Sequence, residues 1–334
     1  MTESSNPSRR DFLRISSACA AHIAFMATPF PLAAREGWSR RSRHQVVAQE
    51  PFGRLEAVGE GLWGFVSTPL GGDYTTVCNG GIISGEAGVL VVEAFQTPEG
   101  SRWMAEKALE LTGRWPTHVV VTHYHGDHSS GVAGFHGADH PGPGLHVTPT
   151  TQALKEGGFS EETSSEVRHH WADVVLLGED APETLDLGGR VLTLTPRLGH
   201  TASDVTIALE EEGITWCGDL VWNGMFPNYM DATPSLLSRA VRRIQTGGSG
   251  LFVPGHGPLA GSVEMANYVS VIDGIEETAR AAWAEGWTSD EAAARHTIPE
   301  SLGEWTLFNP SYFQRAVEAW MKEWEAQTDS REGS

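Results

Sequence analysis

The sequence predicts an α/β protein built from packed mixed β-sheets covered by helices. Strand-length runs come first as hairpins, and later runs alternate with helical patterns. A short, continuous apolar run at 118–122 also suits a strand buried on both faces. Taken in order, 55–58 and 62–67 form a hairpin around Gly59-Glu60-Gly61. Two more strands follow at 77–84 and 89–94, separated by Gly85-Glu86-Ala87-Gly88. A helix covers about 99–112, with Met104, Ala108 and Leu111 at helical spacing. After the 118–122 strand, strand-like runs recur at 145–148, 173–177, 190–195, 204–209, 214–217 and 251–253, with helices at 149–156, 234–245 and 262–285. Past 285, Tyr312, Ala316, Trp320 and Trp324 belong to an apolar stripe at helical spacing, so 286–334 reads as a helical C-terminal extension. Core packing explains that stripe; a dimer contact or a lid is the other reading.

The 334 residues carry 43 acidic and 23 basic side chains, a formal charge of −20. So acidic a chain offers no electrostatic footprint for a phosphate backbone, which excludes nucleic-acid partners. Three cysteines, Cys19, Cys78 and Cys217, exclude a cysteine-based zinc framework and a disulfide-stapled fold. The charge is uneven: 35–334 hold 20 basic and 41 acidic residues, a balance of −21, whereas 1–34 are slightly basic. That head contains Ser8-Arg9-Arg10-Asp11-Phe12-Leu13-Arg14, followed by a moderately apolar stretch of small residues. It resembles a twin-arginine export signal, which implies the twin-arginine machinery as a partner and a periplasmic or extracellular location. His22, Pro29 and Pro31 interrupt the stretch well before the roughly 20 apolar residues a membrane span needs, so no stable insertion of the mature chain is expected. Residues 35–51 show no hydrophobic periodicity and read as a linker, which leaves 52–285 as the main domain.

The chemistry sits where the 118–122 strand ends, at Thr122-His123-Tyr124-His125-Gly126-Asp127-His128. Four candidate ligands within six residues converge only if the strand stops there and the chain turns at Gly126. His123 and His125 then share a side-chain direction, by the two-residue period of a strand, while Asp127 and His128 project from the turn toward an adjacent position. Two histidines for one cation and a carboxylate plus a histidine for its neighbour is the pattern a two-metal hydrolytic centre needs.

This cluster resembles the signature of the metallo-β-lactamase fold superfamily. The remaining elements follow in that family's order: Asn79-Gly80-Gly81 through Val92-Glu93 for an early strand pair, with Glu93 where an Asp is more usual; Gly199-His200-Thr201; Cys217-Gly218-Asp219-Leu220; and Pro254-Gly255-His256-Gly257. The later ligands are spaced by 72, 19 and 37 residues from His128 to His200, Asp219 and His256 in turn. The resemblance implies a four-layer αββα sandwich of two mixed β-sheets flanked by helices, with the site at one edge. Carried over by position, His123, His125 and His200 would hold a first metal, Asp127, His128 and His256 a second, and Asp219 would bridge. Two zinc ions per chain are the default for such donors, and the same set accepts iron or manganese. Five neutral histidines, two carboxylates, two dications and a bridging hydroxide count to about +1, so the site is locally positive inside an acidic protein.

The implied reaction is attack by a metal-bridging hydroxide on an electrophilic carbon or phosphorus of a small molecule, with Asp127 orienting the nucleophile or accepting its proton. Asp219 at the bridging position matches glyoxalase II-like and lactonase-like members. Trp222 stands where cysteine-ligand β-lactamases commonly carry a lysine, and the chain has only Lys107, Lys155 and Lys322. An exported hydrolase of an ester, lactone or related acyl bond is therefore the expectation. A β-lactamase-type amide hydrolase and an iron-dependent sulfur dioxygenase of the same fold are the alternatives. The aromatic loop 222–230 follows Asp219 directly, and Tyr229 in it is a candidate donor to a developing oxyanion; packing of the loop against the sandwich is the equal alternative. Neither substrate nor oligomeric state is legible at this level.

Overall fold

The computed structural model describes residues 44–137, 139–140, 142–247 and 250–332. The export signal expected at 1–34 and the linker up to 43 lie outside the described residues. In chain order, β1 (Gln45–Glu50), β2 (Gly53–Gly59), β3 (Leu62–Ser67), β4 (Gly80–Ser84), β5 (Val89–Val92), β6 (His118–Val120), β7 (Gly144–Val147) and β8 (Val175–Leu176) lie side by side in one sheet. Neighbours are antiparallel up to β5 and parallel from β5 to β8. The second sheet runs β9 (Glu183–Asp186), β10 (Val191–Arg197), β11 (Asp204–Leu209), β12 (Ile214–Trp222) and β13 (Leu251–His256). It is antiparallel except for the parallel pair β12–β13.

Parallel neighbours need crossovers, and helices supply them. Helix α1 (Pro98–Thr112) joins β5 to β6, and α2 (Gly126–Ser129) is a single turn after β6. Helices α3 (Pro149–Gly157) and α4 (Ser165–Ala172) lie between β7 and β8, and α5 (Pro234–Gly247) lies between β12 and β13. Then follow α6 (Ser262–Glu285), α7 (Ser289–Arg295) and α8 (Tyr312–Glu332). Local chemistry fixes the bounds of α1: the Thr97 side chain accepts from the Gly100 amide, Pro98 opens the first turn, and Gly113 closes it in the left-handed region.

The strand period sorts the core into three apolar layers. In β5 all four residues are buried; Val89 and Val91 face α1, while Leu90 and Val92 face the second sheet. Between the sheets, Leu62, Ile83, Leu90 and Val120 meet Leu192, Ile207, Trp216 and Val253. Outside the second sheet, Val221, Leu237, Ile272, Ala316 and Trp320 join β12, α5, α6 and α8 in one cluster. Each fully buried aliphatic side chain here contributes about 1.5–3 kcal/mol of transfer free energy. The order is helix, sheet, sheet, helix, as the sequence predicts.

Two expectations change. Residues 45–50, read as linker, form the edge strand β1 on β2. Their side chains are almost all exposed, so an edge strand carries no hydrophobic alternation to read. The extension beyond 285 is not a separate appendage: Tyr312, Ala316, Val317 and Trp320 of α8 lie in the cluster that covers β12. No helix among the described residues is long and apolar enough to cross a membrane.

Candidate metal centre

All seven residues singled out by the sequence converge at one edge of the sandwich, where β6, β10, β12 and β13 end. His123, His125, His200 and Asp219 place one ligand atom each within 4.8 Å of one another, and Asp127, His128 and His256 do the same beside them. The groups meet at Asp219: its Oδ2 lies 3.3 Å from His200 Nε2, while its Oδ1 lies 3.1 Å from His128 Nε2 and 3.4 Å from His256 Nε2. Asp127 Oδ2 stands 3.3 Å from His256 Nε2.

The chain reaches this arrangement by ending strands sharply. After β6 the backbone delivers His123 and His125, and the turn α2 lifts Asp127 and His128 to the neighbouring position. His200 rides on the loop after β10, and Asp204 at the head of β11 shapes that loop. Its carboxylate accepts from the His200 amide (3.0 Å), the Thr201 amide and the Thr201 hydroxyl (2.8 Å). Burial lifts Asp204 to about 7, against those hydrogen bonds. Asn79 ties the His256 turn to the first sheet, donating to the Pro254 and Gly257 carbonyls at 2.9 and 2.7 Å and accepting from the Ser67 amide. Gly255 is required by close approach, since a Cβ there would fall on Asp219 Oδ1 and the β12 backbone. Gly218, at φ +52, turns β12 past Thr122, whose hydroxyl a Cβ would meet at 2.6 Å.

Behind the ligand atoms lies a second ring of partners that fixes which nitrogen faces inward. Asp231 Oδ2 accepts from His125 Nε2 at 2.8 Å and from the Tyr124 hydroxyl at 2.6 Å, so His125 turns Nδ1 toward His200 Nε2, 3.1 Å away. Glu93 Oε1 accepts from the Thr122 hydroxyl at 2.6 Å and lies 3.0 Å from His128 Nδ1, while Oε2 accepts from the Thr122 amide. Thr122 Oγ1 also meets His123 Nδ1 at 3.1 Å, leaving His123 Nε2 for the site. Glu93 holds φ at +76°, a strained value for a residue with a Cβ, directly where β5 ends. The Cys78 thiol donates to the Asp127 carbonyl at 2.9 Å; burial pushes its pKa up to about 12, so it stays a thiol.

The donor chemistry fits a cation. His123 Nε2, His128 Nε2 and Asp219 Oδ1 are buried with no hydrogen-bond partner, and they point at one another. Facing lone pairs at this spacing repel unless something positive stands between them. Ionisation tells the same story. Burial opposes charge on His256, yet the Asp219 charge and the Asp127 and Asp219 hydrogen bonds raise it to about 9. Burial would likewise raise the Asp219 carboxyl, but the charges of His256 and His128 hold it well below the usual carboxylate range. His200, by contrast, is lowered by burial to about 3 and presents a neutral ring. Nitrogen and carboxylate donors of this kind suit a divalent ion of the zinc, iron or manganese type.

Tyr229 does not join the cluster. Its side chain is buried in the apolar layer under α6, its hydroxyl has no partner, and burial raises its pKa, with Glu276 and Asp273 of α6 as the charges that act on it. The aromatic loop serves packing there, which corrects its assignment as an oxyanion donor. Trp222, three residues after Asp219, lays its ring 4.1 Å from that of His256 and donates its indole N–H to the Asp219 carbonyl. Of the partners the sequence did not disclose, Asp231 had a signal: it is the carboxylate that closes the aromatic loop after Asp219. Glu93 stood out as a departure from the family pattern, though nothing showed that it reaches His128.

A family model described as the metallo-beta-lactamase superfamily matches residues 73–267. A hydroxyacylglutathione hydrolase of Methylobacterium nodulans is 29% identical over 226 residues, covering 67% of this chain and 78% of the relative. Among solved structures, a metallo-β-lactamase of Erythrobacter litoralis superposes with a TM-score of 0.55 at 20% identity, over 69% of this chain and 99% of that one. An inverting sec-alkylsulfatase of Pseudomonas sp. reaches 0.63 at 15% identity, over 96% of this chain and 63% of that one. At these identities the structural likenesses speak for the fold.

Proposed function

The chain belongs to the metallo-β-lactamase superfamily and is a metal-dependent hydrolase, and we propose that it uses two divalent cations, zinc by default, to hydrolyse an ester, lactone or thioester bond of a small molecule outside the cytoplasm. The observation that carries the reading is the junction at Asp219, whose two oxygens face the two ligand groups separately. His123, His125 and His200 would hold one cation, Asp127, His128 and His256 the other, with Asp219 shared. When bound, such ions make a water acidic enough to serve as nucleophile near neutral pH and stabilise the negative charge that develops on the substrate oxygen.

The protein's own groups do the rest. Asp127, the ligand carboxylate whose side chain is still 12% exposed, faces the open side and is placed to orient the nucleophile and take up its proton. Asp231, Thr122 and Glu93 keep His125, His123 and His128 in the tautomers the site needs. Trp222 covers His256 and brings no positive charge to that side, which argues against a drug-type carboxylate grip and for an acyl substrate. The relative named as a hydroxyacylglutathione hydrolase also supports an acyl bond. A screen of the zinc-loaded protein against an aryl acetate, a γ-lactone, an S-acylglutathione and a β-lactam tests the proposal. Turnover of at least one of the first three, above the β-lactam rate, is expected; β-lactam turnover alone, or none at all, rejects it.

Export by the twin-arginine route is the second half of the proposal and rests on Arg9-Arg10 with Phe12-Leu13. Exchanging both arginines for lysine should leave the full-length protein in the cytoplasmic fraction. Unchanged export of that variant would remove this half.

A further inference from the structure

The ligand set is walled by the two sheets on most sides, but on the His256 side the wall is built by the C-terminal segment. Phe308 lies with its ring centroid 6.4 Å from that of His256. One helical turn on, at the start of α8, Tyr312 is fully buried and meets the Trp222 ring edge-on at 6.4 Å and 84°. Trp222 is the ring that stacks on His256 at 4.1 Å. Tyr312 is thus one aromatic layer away from a ligand of the second group. The buried tyrosines differ in what surrounds their hydroxyls. The charges on Tyr229 come from Glu276 and Asp273, on the far side of the helical layer. Burial raises Tyr312 well above 10, and the carboxylates that act on it are Asp127 and Asp219 of the metal centre. A phenol in that setting stays protonated and can only donate toward the site. The half-buried Arg315 guanidinium sits 5.8 Å over the Tyr312 ring, one turn along the helix.

We propose that Tyr312 of the C-terminal helix is a catalytic hydrogen-bond donor of this centre, its phenol donating to the substrate carbonyl oxygen on the Asp127–His128–His256 side. The inference rests on the hydrolase reading above and assigns the role that the sequence gave to Tyr229. As the water oxygen bonds to the carbonyl carbon, the π pair moves onto the carbonyl oxygen, where the Tyr312 hydroxyl and the bound cation meet it. The pair returns as the bond to the leaving atom breaks, and the leaving atom takes the proton that the water gave up. Water and ester thereby become acid and alcohol, and Tyr312 keeps its own proton throughout. Removing one such donor typically costs 10²–10³-fold in kcat. The C-terminal extension is then part of the active site.

Tyr312→Phe tests this, because it keeps the ring against Trp222 and deletes only the hydroxyl. Three quantities are compared with the parent, both zinc-loaded: kcat and KM on the best substrate of the screen, zinc content, and the affinity for phenylphosphonate, a tetrahedral anion resembling the reacting carbon. The expected result is a fall in kcat of about 100-fold with KM within threefold, unchanged zinc, and phenylphosphonate bound at least tenfold more weakly. A kcat within threefold of the parent overturns the proposal, and so does loss of zinc, which would make Tyr312 structural. Should the parent hydrolyse nothing, the hydrolase reading fails by itself; phenylphosphonate affinity then decides alone, and equal affinity of the two proteins rejects Tyr312 as a donor.

Discussion

Replacing Asp231 by Asn is the sharpest probe of the ring behind the ligands. Asp231 contacts no candidate metal position itself; its Oδ2 takes the His125 Nε2–H at 2.8 Å and the Tyr124 hydroxyl at 2.6 Å. Burial would raise this carboxyl, but the His125 hydrogen bond and charge hold it down at about 2, so it is an anion at any working pH. Asn keeps the shape and one acceptor oxygen, and loses the charge that makes His125 a stronger donor to a cation. Partners of this kind are worth 10–100-fold in metal affinity, or about 1.4–2.7 kcal/mol. Zinc competition against a chromophoric chelator should show the more weakly bound equivalent weakened by that factor, with the metal-free protein melting within about 2 °C of the parent. Asp231→Ala leaves two buried donors without an acceptor and should cost about 2–4 kcal/mol of stability besides. Zinc affinity of the Asn variant within twofold of the parent would refute the claim that Asp231 tunes His125.

Gly255→Ala should abolish zinc binding and lower the melting temperature sharply, because the new Cβ falls on Asp219 and the β12 backbone; a variant that still binds two zinc ions would show that the turn has room. Tyr229→Phe removes a hydroxyl that faces Asp273 and Glu276, so kcat should stay within twofold, and a large drop would return Tyr229 to the site. Acid sensitivity should come partly from His146, whose pKa burial lowers from 6.5 to about 4, with His118 adding to the effect. The unfolded chain binds that proton first, so stability is full above about pH 6.5, falls as pH drops toward 4, and levels off below; the ceiling is about 3 kcal/mol. Denaturant midpoints of His146→Gln should show a flatter decline across that window, and an unchanged slope would assign the acid sensitivity elsewhere.

Where chemistry is local, the sequence disclosed it. His123, His125, Asp127 and His128 are legible because a strand end and one glycine force them together. His200, Asp219 and His256 are legible because each follows a strand-like run beside a glycine. Contacts made across the fold were not legible. Glu93 meets His128, Asp231 meets His125, and Tyr312 comes within a ring of His256 only after the sheets have stacked and α8 has docked. Tyr229 failed for a related reason, since side-chain direction in an irregular loop follows no period and was settled by the apolar layer beneath α6. The edge strands β1 and β9 escaped because both faces are largely exposed, which erases the alternation that marks a half-buried strand. In the buried strands the pattern and the structure agree closely, as at 204–209.

The central claim is that the two ligand groups joined at Asp219 hold two divalent cations and that hydrolysis depends on both. Zinc titration of the chelator-stripped protein, followed by the rate on its best acyl substrate, tests it most directly. The account predicts a rate near zero without metal, saturation at two equivalents, and no recovery in Asp219→Ala at any zinc concentration. Full activity in the stripped protein, or an Asp219→Ala variant that reaches the parent rate, would contradict it.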